Sequence, residues 1–209
     1  MNLFKFLNRW FLFSFFMLVF GLLSSFENNI SISSLFISVC YLILFYIIVT
    51  DSIIKKRNKT SDLIFTCTFF SLFFLLLFKL LYYFETGSFF EFSAIDSLQY
   101  HEFALNIEKE GFWRGVVNYI RNEDLEDLGA VFITSLAYQI YPSTILLNIF
   151  NVIAGIITVT SLYRLSLFFM SKDYAYYTAL IYGLSSFVIY LYSTGMKETF
   201  FVMFIILFF

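Results

Sequence analysis

Long apolar runs dominate this chain and limit what it can fold into. A helix that crosses the hydrocarbon core of a bilayer needs about 20 mostly apolar residues. Five stretches meet or approach that length: residues 10–26, 30–50, 63–83, 143–170 and 174–192. A sixth begins near Thr199 and reaches Phe209 after about half a crossing, so the chain is expected to be truncated within a membrane helix. With 60% hydrophobic residues, 13% charged and one proline, the composition departs from that of soluble domains, in which roughly a quarter of residues are charged. The expected fold class is all-α, a polytopic transmembrane helical protein. A formal net charge of -2 argues for neither nucleic acid nor an acidic soluble substrate. Cys40 and Cys67 fall inside apolar runs, where a thiol acts as a small hydrophobe, and their spacing points to neither a metal site nor a disulfide framework.

The positive-inside rule gives these spans one orientation. Lys5 and Arg9 precede the first span and Lys55, Lys56, Arg57 and Lys59 follow the second, which places both segments and the N-terminus in the cytoplasm. Arg164 and Lys172 then mark a second cytoplasmic loop, and Met196, Lys197 and Glu198 fall outside with residues 84–142. The first span has the basic start of a signal peptide but no clean small-residue cleavage site, so it reads as an uncleaved anchor.

Residues 84–142 carry most of the polar chemistry. Ten carboxylates (Glu85, Glu91, Asp96, Glu102, Glu108, Glu110, Glu123, Asp124, Glu126, Asp127) face three bases, Lys109, Arg114 and Arg121. From Asp96 onward, Tyr100, Phe103, Ala104, Ile107 and Gly111 recur at helical spacing, and Phe112, Trp113, Val116, Val117 and Ile120 repeat the pattern. Two helices lying on the membrane surface are predicted, with Trp113 and Tyr119 in the headgroup zone. Residues 122–129 read as a charged turn. Residues 130–141 are too short to cross and end at Pro142 and Ser143, a cap and first turn for the following span.

Asp96 opens the first of these helices, where an aspartate commonly caps free N–H groups. Tyr100, His101 and Glu102 lie within about one turn of it, and together they put hydrogen-bonding and proton-transfer groups at a surface that meets lipid-borne substrates. A metal held by His101 would need Asp96, Glu102 or Glu198 as partners, and no metal site is assigned. Lys197 and Glu198 form a second polar point, and the Lys197 ammonium suits a phosphate oxygen. Lys79, one turn inside the end of its span, is expected to snorkel to the surface.

The spacing of Asp96, Tyr100 and Ala104 just after an outward-going span resembles the first outer loop of GT-C membrane glycosyltransferases, the polyprenyl-phosphate-sugar enzymes that include protein mannosyltransferase-like and lipid A aminoarabinose transferase-like members. The later order is similar: surface helices, a span ending in a basic residue (Arg164), an outgoing span and an acid at its mouth (Glu198). The resemblance covers residues 63–209 and leaves residues 1–62 as a two-span N-terminal extension. Family members commonly carry a second acid directly after the loop aspartate, where this chain has Ser97. The resemblance implies inverting transfer from a polyprenyl-phosphate sugar to an acceptor glycan, lipid or protein, at the outer face of a bacterial cytoplasmic membrane. In that scheme Asp96 is the catalytic base, and Tyr100, His101, Glu102, Arg114, Lys197 and Glu198 bind substrate. Membrane lipids are the further partners, nucleic acid is not one, and no cofactor is assigned, a divalent metal being unsupported by the residues. An O-antigen-type polymerase would favour arginine-rich outer loops, which are missing here; a transporter or noncatalytic scaffold would favour polar residues, broken helices or a repeat at the midplane.

Overall fold

The computed structural model of the chain describes residue 16 and residues 18–23, 59–90, 95–122, 127–140 and 142–209. The second expected span, residues 30–50, lies outside the described residues, as do the basic residues around the first two spans except Lys59. Every described element is helical, and no strand occurs among the described residues. In chain order the elements are α1 (Lys59–Thr86), α2 (Ile95–Glu110), α3 (Phe112–Asn122), α4 (Leu128–Tyr138), α5 (Thr144–Ser166), α6 (Lys172–Gly183), α7 (Ser186–Thr194) and α8 (Glu198–Phe208).

α1 and α5 are long and apolar enough to cross a membrane. Neither contains proline, and their large side chains divide between the bundle interior and its outer surface. Leu72 and Leu75 of α1 are buried with Ile145, Ile149 and Val152 of α5, whereas Phe70, Phe73, Leu77 and Leu81 face outward. An apolar exterior is the arrangement a lipid surround requires, because hydrocarbon rather than water then meets those side chains. Helical residues 16 and 20 add Phe16 and Phe20 to the same core, the Phe16 ring lying 5.8 Å from that of Phe69. α5 is the hub of the bundle, packing on α1, α4, α6, α7 and α8.

The stretch expected to form one span over residues 174–192 is instead two helices. α6 and α7 meet at a bend of 48° around Leu184 and Ser185. Ser185 restarts the helix by accepting a hydrogen bond from the Val188 N–H at 3.4 Å, supplying one of the partners that a new helix start leaves unsatisfied. α7 ends at Gly195, whose φ of +77° is a left-handed conformation that a side chain would oppose, and the chain turns there to deliver Lys197 and Glu198 to the start of α8. The carbonyl of Tyr192, in the last turn of α7, is accepted into the bundle by the buried Asn148 amide of α5, which donates to it at 2.9 Å.

A cap of three shorter helices covers the end of the bundle where α1 finishes and α5 starts. Gly111, with φ +87°, makes the turn from α2 into α3, and α3 folds back on α2. At Gly115 the two backbones come so close that a Cβ would sit 2.6 Å from the Ile107 Cα. Tyr100 and Ile107 of α2, Val116 and Tyr119 of α3, and Ala130 and Val131 of α4 form the interior of this cap. α3 therefore differs from expectation: its apolar residues divide between two faces, and Tyr119, predicted for the headgroup zone, is buried in the cap while Trp113 is 75% exposed. Ser143 occupies the cap position of α5 as expected, but its side chain makes no capping bond. Lys79 is another departure. It is buried rather than snorkelling, and its ammonium donates to the Phe89 carbonyl at 2.7 Å, a backbone group that folds back over the end of α1.

Candidate functional site

Three residues far apart in the chain converge where the cap meets the bundle. Tyr100 projects from the second turn of α2, Asp127 immediately precedes α4, and Lys197 immediately precedes α8. The Tyr100 hydroxyl donates to Asp127 Oδ1 at 3.2 Å, and the Lys197 ammonium forms an ion pair with the same oxygen. Lys197 Nζ also lies 5.9 Å from the centre of the Tyr100 ring, a cation–π distance. Asp127 stands at the N-cap position of α4 yet makes no side-chain capping bond; its Oδ1 is engaged by Tyr100 and Lys197 instead. That choice ties α2, α4 and α8 together through one carboxylate.

The electrostatics of the cluster follow from this geometry. Tyr100 is almost fully buried, and burial, helped by the negative charge of Asp127, pushes its hydroxyl up to about 12, with the Lys197 ammonium acting in the opposite sense. Lys197 is also raised above its ordinary value, chiefly by its hydrogen bond to Asp127 and against the cost of desolvation. Both groups hold their protons more tightly folded than unfolded. Between the ordinary tyrosine value of 10 and about 12 the unfolded chain releases the Tyr100 proton while the folded chain keeps it, so stability present below pH 10 falls as pH rises. The expected result is a decline in unfolding stability across that window that is steeper in the parent than in Tyr100→Phe, measured by denaturant titration in detergent at stepped pH. Equal slopes would show that the buried hydroxyl does not contribute.

The other expected site residues are distributed around this cluster. Asp96 lies in the first turn of α2, exposed to solvent, where the positive end of the helix dipole favours a carboxylate. It stands four residues before Tyr100 and therefore on the same side of α2. Glu198 opens α8 and is half-buried, with Oε2 shut off from solvent and without a hydrogen-bond partner among the described residues. The buried hydroxyls of Ser97 and Thr199 are likewise unpartnered among the described residues. His101 points elsewhere: its Nδ1 shares a hydrogen bond with the Tyr138 hydroxyl, and its ring packs edge-on against Phe90 and Tyr138, so it fastens α2 to α4. Glu102 is exposed, and Arg114 is exposed on α3 without an ion pair to any described residue. Among the described residues no group of three His, Cys, Asp or Glu side chains is placed to hold a metal ion.

The structure thus joins Tyr100 and Lys197, as part of one site, and does so through Asp127, which the sequence presents only as the last acid of a charged turn. The signal available for it was its position directly before an apolar helix, where a carboxylate is usually a cap. Comparison with known proteins finds no matching family model, no similar curated protein and no similar solved structure.

Proposed function

We propose that this chain is the membrane part of a glycosyltransferase that moves a sugar from a polyprenyl-phosphate donor to an acceptor glycan, lipid or protein. The observation that carries the reading is the convergence of Tyr100, Asp127 and Lys197 at the polar end of an apolar helix bundle, with Asp96 exposed one turn away on the same side of α2. That end of the bundle is where the headgroup of a lipid-linked substrate would lie, with its chain along the outward apolar surfaces of α1 and α8. Lys197, held in place by Asp127, is the cation for the donor phosphate, and Asp96 is the base. The acceptor hydroxyl forms a bond to the anomeric carbon from the side opposite the phosphate, the sugar–phosphate C–O bond breaks, the hydroxyl proton passes to Asp96, and polyprenyl phosphate leaves. In the same reading residues 84–142 face outward from a bacterial cytoplasmic membrane and the N-terminus is cytoplasmic. Supporting it are the basic residues Lys59, Arg164 and Lys172, all at the opposite end of the bundle, where Lys59 forms an ion pair with Asp173.

The test is transfer of label from a polyprenyl-phosphate sugar to an endogenous acceptor in membranes carrying the full-length protein, with a nucleotide sugar as the control donor. Turnover with the lipid-linked donor and not with the nucleotide sugar is expected. The bend between α6 and α7, together with Asn148 and Asn151 buried in α5, favours a transporter as the second reading. Solute flux through proteoliposomes without any sugar transfer would select it.

A further inference from the structure

One face of α3 is unaccounted for by the packing of the cap. Phe112, Gly115, Val116 and Tyr119 turn inward against α2 and α4. On the adjoining side Trp113, Val117 and Ile120 are exposed at 75%, 45% and 44%, although such residues are seldom left together in water. At 3.6 residues per turn these three fall within an arc of about 60°, a continuous stripe along the helix. Arg114 and Arg121, seven residues apart, line a single flank of that stripe, both exposed and neither in an ion pair with a described residue. The helix carries no acidic residue; the carboxylates of this region belong to α2 and to residues 123–127.

We infer that α3 is seated on the bilayer surface, with Trp113, Val117 and Ile120 sunk below the headgroups and Arg114 and Arg121 paired with the phosphates of anionic lipids. Two features select lipid over a protein partner. The apolar stripe with cations along one edge is the pattern of a helix lying in a membrane interface, where arginine stems cover apolar surface and guanidinium groups reach phosphate oxygens. The cap also sits on a bundle whose outer surface is apolar at the same end, with Leu81 and Phe84 of α1 exposed, and Leu136 of α4 adds an exposed apolar side chain within the cap itself. Arg114, a substrate-binding residue by the family resemblance, then serves a lipid phosphate instead. By anchoring α3, the bilayer holds α2, and with it Asp96 and Tyr100, at the level of the membrane surface. The inference is independent of the sugar-transfer reading, since it rests on exposed apolar and basic surface and not on the Tyr100–Asp127–Lys197 cluster.

The chain has two tryptophans, so Trp10→Phe leaves Trp113 as the sole indole reporter. That variant, full length, is reconstituted into vesicles of phosphatidylcholine with rising fractions of phosphatidylglycerol. Its fluorescence is quenched either by lipids brominated high on the acyl chain or by aqueous iodide. Strong quenching by the brominated lipid, weak quenching by iodide and a shift toward lipid quenching as phosphatidylglycerol rises are expected. Adding Arg114→Gln and Arg121→Gln should flatten the dependence on phosphatidylglycerol, and neither exposed arginine supports the cap interior. Iodide quenching without lipid quenching would overturn the inference, as would shielding from both quenchers, which would reveal a protein partner. Lipid quenching indifferent to phosphatidylglycerol in the parent would overturn the pairing with anionic headgroups.

Discussion

Asp96→Asn is expected to lower sugar transfer by roughly a hundredfold or more while the protein remains folded, because a positioned base contributes on that scale. The substitution keeps the shape of the side chain and removes its ability to take a proton. Asp96 is exposed in the first turn of α2, outside the interior formed by Tyr100, Ile107, Val116 and Tyr119, so the fold does not depend on its charge beyond a small helix-dipole contribution. Lys197→Met should act differently, raising KM for the lipid-linked donor more than it lowers kcat, since a phosphate contact is made before and during transfer alike. It also strips Asp127 of its cation, whereas Tyr100→Phe removes only the hydroxyl that shares Asp127 Oδ1 and leaves the Lys197 ion pair in place. Equal transfer by the parent and Asp96→Asn at matched expression would reduce Asp96 to a residue that complements the helix dipole and would remove the base from the proposed mechanism.

Gly155→Ala is expected to destabilise the bundle by about 1–3 kcal/mol or more, the range for forcing extra atoms into a packed interior. A Cβ at this position would lie 2.1 Å from Cζ of Tyr192 and 2.2 Å from its hydroxyl oxygen, so the ring occupies the space a side chain would need. The ring has little freedom to withdraw. Tyr192 is buried against Leu72, Ile149, Val152 and Val188, and its carbonyl is held by the Asn148 amide. A shift of α7 would travel through Gly195 to Lys197, so lost stability should be accompanied by weaker donor binding. Thermal unfolding of the purified protein in detergent measures the loss, and pairing with Tyr192→Leu supplies the control. If the clash is the cause, the double variant will be less damaged than the sum of the two single variants, a coupling expected only for residues in contact. Additive losses, or a Gly155→Ala protein as stable as the parent, would refute this account of the α5–α7 contact.

The helical class and the two long spans were readable from the chain alone. Run length and the absence of proline are local properties, and a backbone in lipid must satisfy its own hydrogen bonds, which leaves an apolar run of that length little alternative to a helix. The start of α2 near Asp96 and the shared face of Tyr100, Ala104 and Ile107 were readable for a related reason, since a spacing of three and four residues encodes one helix face; that the face packs against α3 and α4, and not on the membrane surface as expected, was not. The same rule was insufficient for α3. Its apolar residues extend around the helix, and only contact with α2 and α4 divides them into a buried set and an exposed stripe. Lys79 was misplaced because its partner is a backbone carbonyl ten residues on, which composition does not reveal. The bend after Gly183 was masked by the apolar content of the surrounding residues, although Ser185 and Ser186 supplied a helix start inside the run.

The candidate site shows the division most sharply. Tyr100 and Lys197 could each be singled out as polar groups at the edge of apolar segments. Their partner could not, because Asp127 is one of four acids within residues 123–127, and its place directly before an apolar helix reads only as a helix cap. Its role arises from contacts spanning 27 residues to Tyr100 and 70 to Lys197, brought about when α4 packs on α2 and α8 packs on α5. Hydrophobic period is set by neighbours along the chain and survives in the sequence; the meeting of three charged and polar groups is set by helix packing, and exists only once the bundle and its cap have closed.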